Sequence, residues 1–425
     1  MASVVDQIGA RSLWQRGITG KGVAVAIIDT GVAPVPALTG ADKVIAKVDL
    51  SAEAGVPEAT YLDTFGHGTH IAGIIAGRDP GVDPVTATAD PNRFLGVAPG
   101  AGIVAVKVAD NTGAVDVSQV IAGIDWVVDH KDQLGIRVLN LSYGVNPTQS
   151  YLVDPLAYAV ERAWNAGIVV VGAVGNDGKA MHTVANPAID PFVLAVGAVE
   201  WTGSGWTVPS FSSSGDKHIR LPDLAAPGAH IDSLRDPGSR LDVEHPEGYV
   251  SSTLFRGSGS SMATAVVSGS AALLLSAYPS LSPNQVKSLL VGSSTPISGS
   301  SLIVGKGVVN VAAALAAAPT APATVQPWAA SAGTGSLEAA RGGEHVSLNG
   351  TALSGEVTAN GASWTGASWS GASWTGGSWN GASWTGASWR GASWTGASWT
   401  GASWTGASWR GASWTGASWT GAGWQ

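Results

Sequence analysis

The 425-residue sequence predicts an α/β fold, doubly wound around a mainly parallel central sheet with flanking helices, plus a separate repeat segment at the C-terminus. Three observations predict it. Short β-branched runs with little polar alternation recur through the body, as expected of strands buried on both faces. Between them lie segments whose apolar residues follow three- and four-residue spacing, the mark of amphipathic helices. Composition then changes near residue 360, where Trp begins to recur every five residues, from Trp364 to Trp424.

The elements follow in order. Val23–Ile28, bounded by Gly22 and Asp29, reads as a first buried strand. Ile103–Val108, Arg137–Ser142, Ile168–Ala173 and Phe192–Val196 read the same way. Val117–Leu134 reads as a helix with Asp116 near its start, and Leu152–Ala166 as another, ended by Gly167. Strand, helix, strand in series implies a parallel sheet covered on both faces, with sites at the carboxyl ends of strands. Glu200–Arg256 reads as loops and short strands. Helices follow at Ser260–Ala277, Ser282–Ser293 (a Ser-Pro start) and Val308–Ala318. The predicted domains are 1–318 for the body, 319–332 for a Pro/Ala linker, 333–360 for a connecting or cap segment, and 361–425 for the repeats.

Composition excludes several functions. No cysteine is present, which removes disulfides, thiolate metal sites and a cysteine nucleophile. No apolar run approaches the length of a membrane span, so none is expected. The N-terminus lacks the basic-then-apolar pattern of a secretory signal. All 30 acidic residues and 20 of the 22 basic ones precede the repeats, whose only charges are Arg390 and Arg410. An acidic body without a basic stripe argues against nucleic-acid binding.

Three element ends carry polar residues that a core would not choose. Asp29 closes the first strand in Ile27-Ile28-Asp29-Thr30-Gly31. His67 opens a small-residue helix in Gly66-His67-Gly68-Thr69-His70-Ile71-Ala72-Gly73. Ser261 opens another in Gly257-Ser258-Gly259-Ser260-Ser261-Met262-Ala263. A serine needs a base within hydrogen-bond reach to act as a nucleophile. Imidazole is the usual base, and a carboxylate holds its tautomer. Taken singly, Asp29 is an ordinary turn or cap residue, His67 an ordinary structural histidine and the Gly-Ser stretch an ordinary loop. Together they are far more specific.

With these motifs, and with Val171-Gly172-Ala173-Val174-Gly175-Asn176-Asp177-Gly178, the sequence resembles the subtilisin-like serine proteases, the subtilase family. The resemblance covers about Ile8–Ala318. It implies a subtilisin-like fold and peptide-bond hydrolysis through an acyl-enzyme. Carried over by position, Ser261 is the nucleophile, His67 the general base and then acid, and Asp29 the orienting carboxylate. Asn176 matches the family's oxyanion-hole asparagine, acting beside the Ser261 backbone N–H. Protein or peptide substrates would add as a strand along Asn140–Gly144. Ser142, Tyr143 and Gly144 would form one wall of the pocket for the side chain before the scissile bond. Ala173, Val174 and Gly175 would form the other, with Ala185 at its floor. Small walls predict large apolar side chains there, and Asp177 at the rim would also admit a basic one.

The resemblance has departures. Thr264 is followed by Ala265 and Val266 where the family usually has Pro, and Ser260 replaces its usual Thr. Arg78–Phe94, with Asp79, Asp83 and Asp90, replaces a shorter calcium-binding loop. Structural calcium there is a possible cofactor, and none is required for the chemistry. Met1-Ala2-Ser3 reads as a mature domain behind a start codon, without the family's usual pro-segment. The expected location is extracellular.

The repeats carry a longer period. Gly381–Thr400 and Gly401–Thr420 are identical, and Gly361–Asn380 is a looser copy. Successive Trp would face opposite sides of a flat strand, because five is odd. Three readings stay open: a four-sided β-solenoid with one coil per 20 residues, similar to pentapeptide-repeat proteins; a flexible low-complexity tail; and a strand array that self-associates or binds a polymer. Trp faces could stack on sugars or aromatic polymers. The rival to an enzyme is a structural or adhesive protein whose body serves as a platform for this tail.

Overall fold

A computed structural model describes residues 1–87, 93–180, 182–298, 301–348 and 351–364, together with the backbone of short strands between 373 and 424. Its body is built on β1 (Ala24–Asp29), β2 (Val44–Asp49), β3 (Gly102–Lys107), β4 (Ile136–Leu141), β5 (Val169–Ala173), β6 (Leu194–Trp201), β7 (Trp206–Thr207) and β8 (Leu224–Pro227). The spatial order is β2-β3-β1-β4-β5-β6-β7, with β8 also on β6. Every pair is parallel except β6–β7. From β1 the chain runs outward to β2, returns through β3, then crosses to β4 on the other side of β1. Such a reversal opens a crevice at the carboxyl ends of the central strands.

β1 is buried along its whole length, which explains its unbroken Ala-Val-Ala-Ile-Ile run. Two groups of helices pack on the sheet. Ser260–Ala277 lies on β4, β5 and β6 and against His67–Ala76, while Val117–Leu134 lies on β1 and β4 and against Pro155–Asn165. Asp116 caps Val117–Leu134 in a capping box with Gln119. Ser260–Ala277 has the length and hydropathy of a membrane span, a feature the sequence reading did not anticipate. It is 89% buried within the body, so the sheet takes up its apolar surface.

Several boundaries differ from expectation, each for a local reason. The second helix starts at Pro155 because Asp154 accepts from Leu156 and Ala157 N–H groups and Pro155 takes the first helical position. The last starts at Val311, capped by Asn310, because Val308 is instead bridged to Thr295 and Ala225. β2 was not foreseen. It is an edge strand with alternating, half-exposed residues, so it lacks a buried run.

The stretch after the last helix stays against the body. Gln326 Nε2 donates to Phe192 O at 2.8 Å, and Ser331 N–H donates to Glu161 Oε1 at 2.8 Å. Leu337 and Ala340, in a short helix (Leu337–Ala340), join the main core. Among the short strands between 373 and 424, each described pairing is parallel and joins residues twenty apart. Ser373–Thr375 pairs with Ser393–Thr395, and that with Ser413–Thr415.

Candidate active site

Asp29 is the last residue of β1, at the carboxyl edge of the sheet. Its Oδ1 accepts from the Thr30 N–H at 2.8 Å and from His67 Nδ1 at 2.7 Å. That bond leaves Nε2 as the ring's remaining nitrogen, on a side chain that is 20% exposed. Burial works against a charge on His67, but the Asp29 carboxylate, its hydrogen bond and the more distant Asp63 outweigh it. The imidazolium is held above its ordinary pKa, as a base that must store a proton requires.

His67 opens its helix after Gly66, which has φ 108°. Gly68 is obligatory for a different reason: a Cβ there would lie 2.1 Å from Gly31 O, the turn that follows β1. Close backbone approach brings the Asp29 and His67 elements together. Asp63, which the sequence reading passed over, fastens this junction. It accepts from Thr30 Oγ1, the Gly66 N–H and the Thr69 N–H, each at 2.7 Å. An acid just ahead of an apolar helix is a capping signal that could have singled it out.

Ser261 lies in the first turn of Ser260–Ala277, where free N–H groups and the helix dipole favour negative charge. Its hydroxyl lies 3.4 Å from Ser142 O, and Ser142 Oγ donates to Ser261 O at 3.1 Å. No hydrogen bond joins Ser261 Oγ to His67 here; contacts of this kind tighten when substrate arrives. Behind them the buried Asn140 spans both elements, donating to Ser142 Oγ at 3.0 Å and accepting from Ser268 Oγ at 2.9 Å. Asn176 Oδ1 accepts from the Ser260 N–H at 2.8 Å. With its oxygen so held, the amide nitrogen lies beside Gly259, where a Cβ would come within 3.4 Å of it.

The expected pocket residues converge in part. Gly144 lies against Ala185, where a Cβ would come within 2.7 Å of the Ala185 Cβ. Gly175 (φ +103°) is close to both Ala185 and Ser213. Val174 faces away, into a small core with Val184, Ala188 and Ala195. The Tyr143 phenol is also turned away, among Asp116, Asp154, Glu344 and Arg341, with burial pushing its pKa up.

On another side of His67 is a cavity of about 50 Å³ lined by His70, Asp236, Phe255, Gly257 and Met262. Burial, then the neighbouring His67, pushes His70 down to about 3, so it is neutral. Burial, then Asp63 and Asp242, pushes Asp236 up to about 7. Sequence patterns gave no signal for Asp236, whose acidic neighbours are brought together only by folding.

Asp90 of the expected calcium loop lies outside the described residues. Among the described residues no three His, Asp or Glu side chains come together to hold a metal. Beside that loop an internal ammonium takes up carbonyls instead: Lys43 Nζ donates to Ala76, Pro99 and Ala101 O at 3.1, 2.6 and 3.3 Å.

Comparison with known proteins places the chain in a family. Serine protease AprX of Bacillus subtilis is 37% identical over 284 residues, 64% of this chain and 61% of that protein. Subtilisin of Bacillus pumilus is 36% identical over 317 residues, 73% of this chain and 97% of that protein. Fervidolysin from Fervidobacterium pennivorans, described as a keratinolytic enzyme related to subtilisin, superposes with a TM-score of 0.60 at 29% identity. That superposition covers 76% of this chain and 46% of fervidolysin. The chain thus spans less than two thirds of AprX and less than half of fervidolysin. Residues 20–314 match the model of the Subtilase family, so the chain belongs to that family and its body is a subtilisin-like serine endopeptidase domain.

Proposed function

We propose that the whole protein is an exported endopeptidase acting on protein or peptide substrates through an acyl-enzyme on Ser261. The 2.7 Å His67–Asp29 bond at the sheet's carboxyl edge, together with a neighbouring helix whose first turn carries Ser261, carries this reading. In the first step Ser261 Oγ bonds to the scissile carbonyl carbon and its proton passes to His67. The new oxyanion lies between the Ser261 N–H and the Asn176 amide. His67 then gives its proton to the leaving amine, and water repeats the sequence on the ester. Labelling of the folded protein by a fluorophosphonate, lost in Ser261→Ala, supports the reading. No labelling of wild type favours a structural or adhesive protein instead.

For the side chain before the scissile bond the reading is a preference for Phe, Tyr, Leu or Met. The convergence of the small residues Gly144, Gly175 and Ala185 supports it. A cleavage profile dominated by small residues or Pro at that position removes it. For 78–94 the proposal is a loop stabilised by calcium, and a melting temperature unmoved by chelator removes that too.

For the tail the proposal is a β-solenoid that binds a polymer or another copy of the chain. Supporting it are the parallel pairings at twenty-residue intervals, which match the 20-residue sequence block. The same register sets Arg390 beside Arg410, a like-charge pair that disfavours stacking unless an anion lies between. Failure of the full chain to pellet with cell wall, chitin, cellulose or keratin, while staying monomeric, removes the binding role.

A further inference from the structure

Arg341 lies beyond the segment that matches the family, yet none of it is exposed. Its Nε donates to Asp116 Oδ2 at 2.6 Å, and Asp116 is equally buried. Nη1 donates to Glu338 Oε2 at 2.9 Å and Gly355 O at 2.6 Å, and Nη2 donates to Val357 O. One guanidinium thus gathers a strap, residues 336–348 and 351–362, and ties it to the start of the Val117–Leu134 helix. Ser118 Oγ of that helix accepts from the Ala359 N–H at 2.9 Å, a second tie to the same turn.

The strap also grips the chain that leaves the nucleophile. Ser142 O lies beside Ser261 Oγ, and Tyr143, Gly144, Val145 and Asn146 lead away from it. β4 pairs only as far as Leu141, so Ser142–Gly144 carry no strand partner. At the far end a Cβ on Gly342 would lie 2.2 Å from Asn146 O, so strap and loop are in contact there. Thr148 Oγ1 donates to Ala339 O at 2.7 Å, and Gln149 exchanges two hydrogen bonds with Ser336. The Tyr143 phenol is turned toward this contact, with Asp116 and Arg341 among the charges around it.

We propose that the strap is a specificity element in which Arg341 is a positioning residue. By holding Asp116 and the loop after Tyr143 in one arrangement, it closes the groove beyond Tyr143. Substrates with a bulky side chain at that distance upstream of the scissile bond are then disfavoured. The proposal rests on the reading that peptides add along Ser142–Gly144.

The test uses the full chain and peptide anilides that share Phe before the scissile bond and differ, Ala against Trp, at the far upstream position. A short anilide without that position is the control. Wild type is expected to prefer Ala by about tenfold in kcat/KM. Arg341→Met combined with Asp116→Asn keeps the helix cap and leaves no buried charge unpaired. It is expected to shrink the preference about fivefold through KM, with kcat on the short anilide within about twofold of wild type. Thr148→Val, a milder release, is expected to move the preference in the same direction. A wild type without the preference overturns the proposal, as does a folded variant that keeps it or one that loses kcat equally on every substrate. If the paired variant does not fold, an unchanged preference in Thr148→Val overturns it alone. No turnover of the short anilide and no fluorophosphonate labelling would instead sink the protease reading itself.

Discussion

Two of the ion pairs among the described residues set opposite chemistries side by side. His67 and Asp29 meet at 2.7 Å at the mouth of the sheet, and Arg341 and Asp116 at 2.6 Å with neither exposed. The first contains imidazole, which gains and loses a proton near neutral pH. The second contains guanidinium, which does not deprotonate in proteins. In the proposed mechanism the first pair changes charge within each turnover, while the second keeps its charge throughout. The comparison teaches that burial alone does not mark an active site. A buried pair becomes chemistry when one member titrates and its second face is open to a third group.

The comparison can be broken or sharpened by experiment. The largest effect is expected from His67→Ala, with kcat falling by on the order of 10⁶, a magnitude that comes from the same family. Melting temperature should move little, and a large fall would make His67 structural. Arg341→Ala reverses the pattern. Removing one partner of a buried pair typically destabilises by about 3–5 kcal/mol, read in urea unfolding, with kcat of the folded fraction kept. Equal loss of activity and stability would merge the two classes. Asn176→Ala comes next, with kcat expected to fall by about 10²–10³ and KM nearly unchanged, again a family-derived magnitude.

The smallest effects concern pH. His67 must be neutral to act, so kcat/KM should rise with pH through a value above 6.5, the ordinary histidine pKa. Asp63 contributes to that raised value, so Asp63→Asn should shift the acid limb to lower pH. An unmoved limb would show Asp63 to be a fastening alone. Asp236 is pushed up to about 7 from 3.8, so the folded state binds its proton more tightly than the unfolded one. Its contribution to stability therefore declines as pH rises from about 4 to about 7 and stays lost above. Asp236→Asn should accordingly raise the melting temperature more at pH 8 than at pH 5.

What could be read in advance followed the range of the interactions. Asp29, His67 and Ser261 each end or open an element whose signal is local: a buried run, a glycine-flanked helix start, a Gly-Ser turn. Val117–Leu134 was legible to the residue, because its Asp116 cap adjoins a periodic apolar segment; Ser260–Ala277 was legible too, as a long apolar run, although Gly259 gives it no side-chain cap and it is buried on nearly all sides. β2 was not, since an edge strand with Lys47 among half-exposed neighbours lacks a buried run. Asn140 could not be assigned its role, because its partner Ser268 is 128 residues away. For Tyr143 and Val174 the sequence placed the backbone beside the pocket, but packing turned both side chains elsewhere.

The sequence by itself determined the α/β class, the chain order of acid, imidazole and hydroxyl, and the period of the repeats. Each is written in neighbouring residues, through periodicity, caps and small-residue turns. Only the tertiary structure decided that the described residues of 319–360, which reads as linker and cap, lie against the body. Arg341 and Asp116 are 225 residues apart, and nothing local marks either as the other's partner. A buried ion pair exists only where folding removes water from both charges at once, and that condition belongs to the assembled body.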